Sequence, residues 1–110
     1  MALEELVHKR LKQVARSGQI IHYADLAPVA GLNMASKDDR AELGRILGEI
    51  STREHAEGHP MLSVVVVQAG TGRPSRGFFD LARQLGLHQG KDDFSFFVEE
   101  LRKVYAFWGR

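Results

Sequence analysis

Pro60-Met61-Leu62-Ser63-Val64-Val65-Val66-Val67-Gln68, followed by Ala69-Gly70-Thr71-Gly72-Arg73-Pro74-Ser75-Arg76-Gly77, is the stretch on which the fold turns. Four consecutive valines suit a pleated backbone, because side chains branched at Cβ lose rotamer freedom in a helix. The run predicts a strand over residues 61–68. Valines at both parities predict that both faces of that strand are covered. Behind it, glycines supply conformations closed to other residues and Pro74 sets its own φ, so residues 69–77 read as a tight protruding loop. Gly77-Phe78-Phe79 reads either as a brief return strand or as the start of the next helix.

Upstream, Leu3, Leu6, Val7, Leu11 and Val14 recur at helical spacing, and Gly18 is placed to end that helix. Ile20-Ile21 reads as a short extended piece and residues 23–27 as a short helix stopped by Pro28. Ser36 and Asp39 have the spacing of a capping box, predicting a second long helix over 37–51 that buries Leu43, Ile46, Leu47 and Ile50. Residues 52–60 read as a polar connector. Downstream, Phe78/Phe79, Leu81, Ala82 and Leu85 predict a helix stopped at Gly86, and another starts near Asp92. On that last helix Phe94, Phe97, Tyr105 and Trp108 form the face assigned to core packing or to a partner, with Phe96 and Phe107 widening it. The order is that of an α+β, winged-helix-like domain: a helix-turn-helix, a strand and a glycine-rich wing, with extra C-terminal helices, in one domain over residues 1–110.

Composition bounds the function. The chain has 110 residues, 44% of them apolar, and no cysteine, so thiol nucleophiles, thiolate metal sites and disulfides are excluded. That usage agrees with a cytoplasmic location. The longest apolar run is far short of the roughly 20 residues a membrane helix needs. Net charge is only +1, yet residues 73–91 sum to +3 while residues 37–57 sum to −2. A nucleic-acid face would therefore be local.

Arg73 and Arg76 on the glycine loop are candidates for phosphate or minor-groove contacts. Lys37, Arg40 and Arg45 are candidates on the second long helix, although Asp38, Asp39, Glu42 and Glu49 are interleaved with them. His55 and His59, with Glu54 and Glu57, are read as a polar connector and not as a metal site. His8, His22 and His88 are read as surface residues. No serine lies in a nucleophile elbow, and adjacent carboxylates do not face one another on a helix, so neither an enzyme nor a cofactor is expected.

Ile21-His22-Tyr23-Ala24-Asp25-Leu26-Ala27, Arg40 and Gly44, Pro60-Met61-Leu62-Ser63-Val64-Val65, and Gly70/Gly72 with Gly77-Phe78 together resemble the DNA-binding winged-helix domain of the alkylguanine-DNA alkyltransferases and alkyltransferase-like proteins, over residues 20–80. The resemblance implies a role for Tyr23 in rotating a target nucleotide and for Arg40 in filling the space of a flipped base. It places Met61 where the reactive cysteine stands, Leu62 at the histidine and Ser63 at the arginine, and the Arg40–Gly44 spacing is one residue longer than the family's. A thioether has no proton to lose, so alkyl transfer is set aside. The expected function is non-catalytic binding of double-stranded DNA. The alternative is a protein-interaction or homodimerisation module of the same fold without DNA contact, favoured by the acid-laced helix and the aromatic C-terminus.

Overall fold

In the computed structural model, which describes residues 2–90 and 92–109, the valine run sits at the centre of the molecule and most of it is not a strand. Leu62–Val65 form a single 3-10 turn, and only Val66–Val67 (β2) are extended. β2 pairs in parallel with Ile21–His22 (β1), Ile21 opposite Val66 and His22 opposite Val67. The expected strand over 61–68 is corrected for a physical reason. A strand exists only as far as its neighbour does: in this parallel register residues 62–65 would face residues 17–20, which leave α1 through the Gly18 turn before β1 begins at Ile21. The residues before β2 satisfy their backbone groups elsewhere: Met61 donates its N–H to the Glu100 carboxylate (2.8 Å) and Ser63 to Ser51 Oγ (3.1 Å). The expectation of cover on both faces holds, since Met61, Leu62 and all four valines are fully buried.

Around this rod pack α1 (Leu3–Arg16), α2 (Tyr23–Leu26) with a 3-10 turn at Ala27–Ala30, α3 (Lys37–Ala56), α4 (Arg76–Gln84) and α5 (Asp93–Trp108). The result is a small, mostly helical domain of five helices and one two-stranded sheet among the described residues. Val7, Leu11, Val14 and Ala15 form the inner stripe of α1, and the chain leaves that helix through Gly18 at φ +67°. No described helix is long and apolar enough to cross a membrane.

α3 is built as expected at its start and runs longer at its end. Ser36 Oγ accepts the Asp39 N–H (3.2 Å), but the Asp39 carboxylate does not return to Ser36; it accepts from Asn33 N–H (2.9 Å), bracing the preceding loop. Leu43, Ile46, Leu47 and Ile50 are buried, and so are Ser51 and Glu54, so the helix continues to Ala56 through part of the expected connector. Gly58, at φ +79°, takes the chain away from it.

Of the two readings of Gly77-Phe78-Phe79, the helix entry holds: α4 begins at Arg76, so Arg76 belongs to a helix and not to the loop, and the expected wing is corrected, since the glycine loop joins β2 to a helix and closes no hairpin. Asp92 caps α5 by accepting the Ser95 N–H (2.9 Å). The buried stripe of α5 is Phe96, Phe97, Glu100 and Val104, which turns Phe94 outward.

Candidate functional site

Tyr23 stands where two concavities adjoin. It starts α2 immediately after β1, so its ring leaves the sheet edge toward α3 and α4. Its hydroxyl donates to Ser75 Oγ (3.0 Å) and accepts the Ser75 N–H (3.1 Å), tying α2 to the residue that precedes α4. Two concavities meet at this pair. One, of about 350 Å³, is bounded by Tyr23, Met34, Arg40, Gly44, Gln68 and Ser75. The other, of about 270 Å³, shares Tyr23, Gly44 and Ser75 and reaches Ser63 and Phe78. A Cβ on Gly44 would meet nothing within 4 Å, so the wall between them is open backbone.

Arg40 stands on this cleft from the first turns of α3, its Nη1 donating to the Met34 carbonyl (2.7 Å). That bond leaves its charge uncompensated by any carboxylate ion pair among the described residues. Arg45 is different. It is held by Glu42 (2.7 and 2.8 Å) and Glu49 (2.7 Å), and lies in a separate concavity with Glu4 and Arg53. Its hydrogen bonds to Glu42 and the charges of both carboxylates hold its proton more tightly than usual, while Arg45 holds the Glu42 carboxyl below its ordinary range. Five residues along a helix rotate a side chain to another face, so Arg40 and Arg45 cannot serve one narrow site.

The loop arginines also separate. Arg73 lies over the Phe94 ring (4.6 Å), while Arg76, 93% exposed, approaches Asp80 (3.8 Å) from the start of α4. Lys37 is exposed at the first position of α3. The structure therefore joins Tyr23 and Arg40, and leaves Lys37, Arg45, Arg73 and Arg76 off the cleft's lining. Met61 is buried in the core and lines neither concavity; Ser63, whose Oγ is 2.6 Å from Ser51 Oγ, is the residue of that segment that reaches the cleft.

On the aromatic face Phe97 is buried and Tyr105 and Trp108 are partly buried. The Tyr105 hydroxyl donates to the Gln19 carbonyl (2.8 Å), and burial pushes its pKa up. Lys12 and Arg16 lie over the Trp108 ring.

Two histidines depart from the surface role expected of them. His88 is 4% exposed, stacked on Phe96 (ring centroids 4.6 Å apart), and its Nε2 is 2.8 Å from Asp93. His8 is partly buried on α1 with Nε2 2.9 Å from Glu54 Oε1. The two partners differ in range: Asp93 is five residues from His88, whereas Glu54 is 46 from His8. Met34, Gln68 and Ser75 were equally invisible as cleft residues, having no motif of their own; for Ser75 the only signal was its place between two candidate arginines. No family model, curated protein or solved structure matches this chain.

Proposed function

We propose that this is a non-catalytic DNA-binding domain that engages the duplex through the Tyr23–Arg40 cleft. The observation that supports it most is the meeting of Tyr23 and Arg40 on one cavity of about 350 Å³, from segments 17 positions apart. These are the two residues to which the likeness to alkyltransferase-like proteins assigns nucleotide contact. The volume lies at the low end of the roughly 300–1,000 Å³ of small-ligand sites. In this reading α3 is the recognition helix, entering by its N-terminal end, where Lys37, Arg40 and free backbone N–H groups favour phosphate. Arg73 and Arg76 flank the cleft as backbone contacts. Met61 offers no thiol and is enclosed, so nothing is transferred.

The test is fluorescence anisotropy with a short labelled duplex at low salt. Binding is expected to weaken steeply as salt rises, because each neutralised phosphate releases counterions. R40A and Y23A should each lose about tenfold in affinity, as expected for about 1.4 kcal/mol of lost contact. No binding at low salt overturns the reading, as does full affinity in both variants.

A second reading, a protein-binding module, is favoured by one observation. Phe94 and Val98, four apart on α5, are 48% and 45% exposed on one face. A strictly monomeric sedimentation profile would remove its homodimer form.

A further inference from the structure

At the opposite end of α3 a carboxylate is buried with no guanidinium or ammonium beside it. Glu54 is 3% exposed, and its ion-pair partners among the described residues are both imidazoles: His8 Nε2 at 2.9 Å from Oε1 and His59 Nδ1 at 2.7 Å from Oε2. The neighbouring cations turn elsewhere. Arg53 reaches Glu4 (3.0 Å), and Lys103 lies nearest Glu100 (3.9 Å). A second carboxylate, Glu57, brings Oε2 to 3.6 Å from the same His59 nitrogen. Two carboxylates and two imidazoles thus meet at one place, and no guanidinium or ammonium among the described residues pairs with Glu54.

The ligand atoms are already assembled. One atom each from Glu54, Glu57 and His59 lies within 4.8 Å of the others. Donors about 2.0–2.2 Å from a tetrahedral zinc ion stand roughly 3.3 Å from one another. The His59–Glu54 and His59–Glu57 separations of 2.7 and 3.6 Å fall on either side of that value, so small side-chain shifts would suffice. Nitrogen and oxygen donors without sulfur suit a borderline divalent ion. Glu57 is exposed and His59 lines a concavity, so the group can be reached from solvent, which would supply the fourth donor. His8, on the other oxygen of Glu54, has the place of the outer hydrogen-bond partner that orients a ligating carboxylate.

We propose that Glu54, Glu57 and His59 bind one divalent transition-metal ion of the zinc type, with His8 as a positioning residue acting through Glu54. The site is independent of the DNA-binding reading and unites α1, α3 and the connector to the central rod.

The experiment is calorimetric titration of zinc chloride into the full chain in a chelator-free buffer, repeated with E57Q, H59Q and H8Q. One ion per chain is expected. E57Q and H59Q should weaken binding by at least about tenfold, and H8Q by about tenfold as an outer-partner change. Glu57 is exposed, so E57Q tests the site without endangering the fold. Cobalt supplies a second readout: the His59 and Trp108 ring centroids are 6.1 Å apart, so cobalt in the site should quench the chain's single tryptophan, and E57Q should relieve that quenching. No saturable zinc uptake up to about 1 mM, a very weak limit, overturns the proposal. So does zinc uptake that E57Q and H59Q leave unchanged.

Discussion

The two ends of α3 carry opposite chemistry. Near its N-terminus Arg40 stands on an open cleft with no carboxylate pair among the described residues, while at its C-terminus Glu54 is enclosed and gripped by two histidines. A helix of twenty residues separates its ends by about 30 Å, so the two groups do not compensate each other. Each charge instead matches the dipole of its own end in the ligand it would attract: anions at the N-terminus, cations at the C-terminus. One rigid element thus carries groups of opposite charge near its two ends, and the packing of its middle holds both in place.

The largest expected effect comes from breaking that middle. Ile50→Ala removes a fully buried side chain between the ends and should cost about 3 kcal/mol in urea denaturation, through lost transfer energy and the cavity left behind. Glu54→Ala touches one end only. It leaves the His8 and His59 N–H groups without their acceptor and should cost about 2 kcal/mol by the same measurement, with DNA affinity unchanged. Tyr23→Phe touches the other end: losing both hydrogen bonds to Ser75 should cost about 1 kcal/mol and reduce DNA binding.

Two weaker perturbations sharpen the contrast by lying outside both ends. The Asp93 carboxyl is held below its ordinary pKa by its hydrogen bond from His88 and then by Arg83. A carboxyl depressed by folding stabilises the native state above its unfolded pKa, about 3.9, and loses that contribution as pH falls through the folded value. Acid melting curves of Asp93→Asn should therefore fall less steeply below about pH 4 than those of the parent chain. Arg45→Ala is the smallest change: its exposed pairs with Glu42 and Glu49 should leave both the melting temperature and DNA affinity where they were.

The long helices were legible because their signals are local. Ser36 reports the start of α3 and Asp92 that of α5, and Gly18 marks the stop of α1, all within a few residues of the bonds they make or end. The valine run misled because β-branched side chains describe a preference, whereas strand length depends on a partner. Ile21–His22 supply only two positions, so Leu62–Val65 turn instead. The cleft was half legible: Tyr23 and Arg40 stood out, while Ser75 and Met34 joined them only in space. Glu54, Glu57 and His59 were noticed as neighbours in sequence, but the burial of Glu54 and the approach of His8 from α1 were not.

By itself, then, the sequence determined where the long helices start and most of their inner faces, together with the absence of any thiol chemistry. Helical bonds link residues four apart, and a missing side-chain type is missing in every fold. Only the tertiary structure decided the conformation of residues 61–67, the joining of Tyr23 to Ser75 across 52 residues, and the meeting of His8 with Glu54 across 46. Those depend on which surfaces pack together to exclude water, and that is set by the whole core at once.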